Sequence, residues 1–334
     1  MKVNDILSFF EDLAPFSYQE SYDNSGLQIG DPQKEINSAL ITLDVTEEVI
    51  QEAAKRNSDL IISHHPVIFG GLKSLSGNTM AERVVIESIK RDIAIISVHT
   101  NLDVIFQGVN SKICDKMGLF NRKILDPVKG KLNKLVFFVP VEHADKVRNS
   151  VFKAGAGVIG QYDQCSYNLK GEGTFRASEE ANPYVGDKNE LHYEAETRVE
   201  TIFPSNIRDN VISALINSHP YEEVAYDVYP LENKYDQAGM GMVGEFEEAM
   251  EEYEFLNSVK TVFNSGCVRY TKLLDKPIKK IAVCGGSGSF LLTKAIHAGA
   301  DAFLTGDIKY HQFFDAYDQI LIADIVHYES EQFT

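Results

Sequence analysis

The sequence predicts an α/β protein made of two related α/β halves, interrupted by a ferredoxin-like βαββαβ segment. Three observations lead there. Between residues 38 and 103, short β-branched runs alternate with helical repeats, the signature of βαβ units. The same succession of elements returns at 279–331. The stretch between them, roughly 130–236, follows a different order of strands and helices. A chain of 334 residues has room for about two domains, so the expected organisation is 1–129 and 237–334 as one α/β domain and 130–236 as the insert.

In the first half, Ile6, Phe9, Phe10 and Leu13 share a helical stripe that Pro15 ends. ALITLD (39–44) is a strand ending in an acid, EEVIQEAAKRN (47–57) a helix, and DLIISHH (59–65) a second strand. A loop with Gly70, Gly71 and Gly77 leads to a helix over 80–91, and IAIISVHTNLD (93–103) closes the run as a strand. Such continuous apolar runs read as buried parallel strands. In the middle segment, strands are expected at 134–141, 164–177, 191–204 and 222–231. Helices are expected at 143–155 and 205–219, the second capped by Ser205. NRKILDPVKG and ENKYDQAG read as the polar connections at its two edges. In the second half, 279–286 and 301–307 are strands, 289–299 and 309–317 helices, and 319–331 runs from strand into helix. The acid-rich 245–255 reads as a solvated helix face.

Composition narrows the function. Lys and Arg number 32 against 49 Asp and Glu, a net charge of −17, so a nucleic-acid role would need a local basic patch. No apolar run approaches the ~18 residues of a spanning helix. The start, MKVNDILSFFEDLAP, carries acids early and lacks an apolar targeting core, so a cytoplasmic protein is expected. Cys114, Cys165, Cys267 and Cys284 form no CxxC pair, and a metal would have to be held by histidine and carboxylate.

Polar ligand-type residues gather where strands end, the place where open α/β sheets bind ligands. His64 and His65 stand together before Pro66. Adjacent imidazoles at a strand end can grip two ions side by side, and equally they fit one surface and one structural histidine. Asp103 ends the next expected strand, with His99 and Asn101 pointing the same way by alternation. His327 and Glu331 lie four apart, on one helical face. Three imidazoles and two carboxylates make a mixed N/O set suited to zinc, manganese or iron(II), with positions left open for water. Asp307, Lys309, His311, Asn24 and Asp44 are candidates to support these ligands or to contact substrate, as is His99. CGGSGSF (284–290), between a strand and a helix, could receive a phosphate or be a tight turn.

The stretches SYDNSGLQIGD (21–31), ISHHPVIF (62–69), HTNLD (99–103), GDIKYHQF (306–313) and HYESE (327–331) resemble the signature of the NIF-three-like family. Its bacterial members are known as GTP cyclohydrolase I type 2 homologues. The resemblance covers almost the whole chain, since longer members carry an inserted PII-like or CutA-like domain, which 160–175 and 219–231 resemble. It implies two divalent ions per chain, zinc first among the candidates, held by His64, His65, Asp103, His327 and Glu331. It also implies a toroidal homohexamer. The expected function is a dimetal hydrolase of a small nucleotide-like substrate, attacking C8 of guanine if GTP is that substrate. The alternative is a non-catalytic metal-binding adaptor whose insert senses a small ligand.

Overall fold

The computed structural model describes the whole chain, Met1–Thr334, and divides it into two compact units: Met1–Pro127 with Gln237–Thr334, and Val128–Asp236. No helix is long and apolar enough to cross a membrane.

The first unit is mixed α/β and holds two sheets. One has four strands in the order Gly26–Ile29, Ala94–Ser97, Leu60–Ser63, Ala39–Thr42. The last three run parallel with Leu60 level with both Ala94 and Ala39, while Gly26–Ile29 pairs antiparallel to Ala94–Ser97. The other has six strands in the order Arg269–Tyr270, Leu321–Asp324, Ala302–Gly306, Ile278–Ser287, Lys234–Met250, Phe120–Lys129. Leu321–Asp324, Ala302–Gly306 and Ile278–Ser287 run parallel. Both faces of that trio are covered. Ile281, Val283 and Leu304 join one apolar cluster, whereas Ala282, Phe303 and Ile322 join another. Two-sided burial explains why these segments read as unbroken apolar runs.

Several expectations need correction. Ala39–Thr42 is an edge strand, not a buried one, and Ile41 is 77% exposed. The helix Val3–Leu13 forms as expected before Pro15, with Phe9 and Leu13 of its stripe exposed. Residues 309–317 form a 3-10 segment, Tyr310–Ala316. In the acid-rich stretch, the residues through Met250 belong to a strand. Its helix starts at Glu252, whose buried carboxylate accepts Leu274 N at 2.8 Å and Asp275 N at 3.0 Å and is therefore not solvated. The two supposed polar connections also lie largely in strands: Phe120–Lys129 is the edge strand, where polar residues are tolerated, and Lys234–Met250 beside it carries its polar residues, 234–237, at an exposed start.

The second unit has one antiparallel sheet, ordered Tyr167–Arg176, Leu191–Pro204, Leu132–Pro140, Tyr226–Leu231. Helices Ala144–Lys153 and Arg208–Ser218 cover one face, packing Val147, Val151, Val211 and Leu215 on Leu135, Phe137, Val199 and Phe203. Ser205 does not cap the second helix; it opens a 3-10 turn, Ser205–Ile207, and the helix Arg208–Ser218 begins without a side-chain cap.

Candidate metal centre

All the residues expected to bind metal lie in the first unit, and the fold brings them together. His64 and His65 leave the strand Leu60–Ser63, their amides still donating to Leu43 O at 3.2 and 3.0 Å. His64 is buried. Its Nδ1 lies 2.9 Å from the Val98 carbonyl, which can only accept, so Nδ1 carries the proton and Nε2 presents a lone pair. That Nε2 is buried without a hydrogen-bond partner, 3.5 Å from Asp103 Oδ1 and 3.9 Å from Glu331 Oε1. Burial depresses the His64 pKa to about 4, keeping the ring neutral.

The other imidazoles are anchored in the same way. His65 Nδ1 lies 2.8 Å from Asp44 Oδ1, and His327 Nδ1 lies 2.6 Å from Asp307 Oδ2, which also accepts from Ser287 Oγ. A carboxylate on Nδ1 selects the tautomer whose Nε2 is free, as in carboxylate–histidine–metal arrangements. His65 Nε2, His327 Nε2 and Glu331 Oε2 then converge at 3.1–3.2 Å from one another. Three acceptor atoms this close require a shared proton or a cation. In the protein alone, protons do that work. Hydrogen bonding to Glu331, against the opposing effect of burial, lifts the His327 pKa to about 9. Burial works against ionisation of Glu331, yet its bonds to His327 and His65 outweigh it and hold the carboxyl at about 2.

Three ligand triads have donor atoms within 4.8 Å of one another: His65–His327–Glu331, His64–Asp103–Glu331 and His64–His65–His99. Glu331 belongs to two of them, as a bridging carboxylate should. Buried atoms without a hydrogen-bond partner remain on His64 (Nε2) and Asp103 (Oδ1), and the Asp103 pKa is pushed well up by burial and by the nearby Glu331 charge. The donor set therefore fits divalent ions.

Asp103 reaches the site differently from the expected route. The strand ends at Ser97, and Asp103 lies in a one-turn helix, Thr100–Val104, whose first residue follows His99. The Asp103 amide donates to His99 O at 3.1 Å, so these two share a face by helical spacing rather than strand alternation. Asn101 turns away and donates to the buried Ala14 carbonyl at 2.7 Å. His99 joins the cluster, its ring 5.2 Å from His64 and 5.3 Å from His65. Its Nδ1 lies 2.7 Å from Asp23 Oδ1. Burial opposes ionisation of Asp23, but bonds from His99 and Thr100 hold its pKa well below the usual range. Asp23 went unrecognised in the sequence because its partner is 76 residues away.

The glycine loop has a different task from phosphate binding. The amides of its three glycines are already used: Gly285 N donates to Asn110 Oδ1, Gly286 N to Ser330 Oγ and Gly288 N to Thr305 Oγ1, all at 2.9–3.0 Å. Gly286, at φ +61°, lets Glu331 approach, since a Cβ there would collide with Glu331 Oε1. The turn that delivers His327 is strained: Val326 has φ +70°, held by its amide donating to the buried Asp324 at 2.9 Å.

Not every expected residue joins the cluster. Lys309 and His311 sit on exposed backbone, with the His311 ring against Tyr310 and Phe314. Asn24 tethers a loop through Ile68 O at 2.6 Å. Asp44 and Asp307 do orient ligands, as described. Beside the cluster opens a cleft of about 440 Å³, lined by His65, His99, His327, Asp44, Phe69 and Tyr328 among others.

Comparison with known proteins adds sequence and fold relatives. The Duf34/NIF3 (NGG1p interacting factor 3) family matches residues 1–334. A protein of Halalkalibacterium halodurans named GTP cyclohydrolase 1 type 2 homolog is 41% identical over 324 residues, 96% of this chain and 87% of that one. A Bacillus subtilis protein of the same name is 41% identical, covering 93% of this chain and 84% of its own. A Bacillus cereus protein related to NIF3 superposes with a TM-score of 0.87 at 39% identity, over 99% of this chain and 89% of that one. Staphylococcus aureus SA1388 gives 0.76 at 30% identity, over 99% and 88%.

Proposed function

Because the chain belongs to the Duf34/NIF3 family, we propose that its cluster is a dinuclear metal centre serving hydrolysis of a small nucleotide-like substrate. The observation that carries this reading is the convergence of His65 Nε2, His327 Nε2 and Glu331 Oε2, with Glu331 shared by a second triad. His65 and His327 would hold one ion and His64 and Asp103 the other, with Glu331 between them. When bound, two ions of the zinc, manganese or iron type would supply Lewis acidity and a water of lowered pKa. The chain's own part is orientation. Asp44 and Asp307 fix two imidazoles, and Asp23 fixes His99 at the wall of the cleft, where it can position substrate. Phe69 and Tyr328, both exposed on that wall, offer flat surfaces to a planar base.

A second reading, a metal-binding assembly without turnover, gains from the same cleft. Its lining includes no Lys or Arg to neutralise a triphosphate. The strand order and the two helices of Val128–Asp236 support a ferredoxin-like insert, and the repeated parallel strand trios of the first unit support two related halves. One experiment addresses all of this. Metal-loaded protein, and a variant with 130–236 replaced by a short linker, are offered a nucleotide panel that includes GTP. Turnover by both is expected, because every proposed ligand lies outside the excised segment. A silent panel with metal-replete protein would refute the hydrolase. A soluble, folded excision variant that no longer binds metal would refute the autonomous insert.

A further inference from the structure

The second unit carries a cavity of about 570 Å³ that the metal chemistry does not use. It lies on the sheet face opposite the helices, because Phe138 and Arg198 alternate with the core residues Phe137, Val139 and Val199. Glycines make the space. On the neighbouring strand, Gly171 stands opposite Glu196 and Gly173 opposite Glu194, and a Cβ on Gly171 would meet nothing within 4 Å. Glycine weakens a strand interior, so two of them here have a purpose: Gly171 leaves the surface bare, and Gly173 makes room for the Glu196 carboxylate, which a Cβ there would strike.

The walls are aromatic and firmly placed. The Tyr221 ring centroid lies 6.1 Å from Phe175 and 6.3 Å from Tyr184. Tyr184 Oη is 2.8 Å from His143 Nε2. His219, buried, donates from Nε2 to Phe138 O at 2.9 Å and accepts Tyr221 N on Nδ1 at 3.1 Å, which fixes the Tyr221 backbone over the sheet. Asn182 N donates to Glu222 Oε1 at 2.8 Å and ties the two covering loops together.

Charge then identifies the guest. Glu172, Glu196, Glu222 and Glu223 line the cavity against only Lys170 and Arg198. Arg198 is already paired with Glu200 at 3.0 Å, and Lys170 is exposed, as are Glu172, Glu222 and Glu223, which leaves Glu196 as the unpaired charge set deepest in the lining. Glu196 is half-buried with no ion-pair partner, and burial raises its pKa. The buried Tyr221 hydroxyl faces the Glu196 carboxylate, which sets the aromatic ring and the charge side by side. We infer that this cavity binds a small organic ammonium ion, its charge against Glu196 and its alkyl groups on the faces of Tyr221, Tyr184 and Phe175. Aromatic cages with a carboxylate recognise such cations through cation–π attraction and charge, while an acidic lining repels phosphate-bearing ligands. The cavity shares no residue with the metal centre and stands whether or not that centre is catalytic.

Calorimetric titration of the full chain with choline tests the inference, with dimethylbutanol as the uncharged isostere and ATP as the anionic comparison. Choline is expected to bind saturably, and the isostere at least about tenfold more weakly. Glu196→Gln should weaken choline by at least about tenfold by removing the charge alone. Gly171→Val, which fills open space at an ordinary backbone conformation, should abolish binding, with metal content unchanged in both variants. The inference is overturned if choline, tetramethylammonium and butylammonium all fail to saturate. It is equally overturned if the isostere matches choline, if Glu196→Gln leaves affinity unchanged, or if ATP binds in a manner that Gly171→Val removes.

Discussion

Glu331→Gln is expected to lower metal affinity by more than about 100-fold and to reduce any turnover to background. The substitution preserves shape at a buried position, so the loss reports charge. Glu331 is the only carboxylate belonging to two of the ligand triads, and its two oxygens face different imidazoles: Oε1 toward His64, Oε2 toward His65 and His327. An amide can donate to one neighbour and accept from another, but it cannot neutralise two cations. The fitting comparison is Asp307→Asn, which removes an orienting partner and not a ligand. Changes of that kind cost about 10–100-fold. Competitive chelator titration measures both. Equal losses in the two variants would mean that Glu331 only orients His327.

Gly286→Ala should damage the centre without touching a ligand. Alanine at φ +61° carries a backbone cost of roughly 1–2 kcal/mol. Its Cβ would collide with Glu331 Oε1, and overpacking of this sort adds about 1–3 kcal/mol. The sum, about 2–5 kcal/mol, exceeds what a surface change produces. It should appear as a lowered unfolding midpoint in denaturant together with loss of metal, because Glu331 cannot retreat while its neighbour Ser330 accepts the Gly286 amide. Gly266, exposed and with open space around its Cβ position, should accept alanine at little cost. A Gly286→Ala protein with unchanged stability and metal content would remove the cradle from the account.

Much of this centre was legible in the sequence because its signals are local. His64 and His65 stand beside one another at the end of an apolar run, and His327 and Glu331 are spaced by one helical turn. The parallel strands were legible too, since two-sided burial leaves continuous apolar runs such as AIIS and AFLT. What escaped depends on contacts that spacing does not encode. The Asp23–His99 pair spans 76 residues, and the Asn110–Gly285 bond spans 175. Asp103 was expected beside the histidines by strand alternation, but the strand stops at Ser97 and a one-turn helix brings Asp103 to them instead. The glycine loop resembled an anion site in pattern, yet side chains from distant segments occupy its amides. The strand Phe120–Lys129 was hidden by polar residues that its edge position tolerates, and Lys234–Met250, one place in from that edge, by the polar residues at its exposed start, 234–237.

Anomalous diffraction from crystals of metal-supplemented protein, collected at the absorption edge of the bound element, tests the shared-carboxylate centre most directly. Two peaks per chain are predicted, roughly 3.5–4 Å apart as in dinuclear hydrolytic sites. One should lie among His65, His327 and Glu331, and the other among His64, Asp103 and Glu331. A single peak not touching Glu331, or no peak among these residues after supplementation, would contradict it.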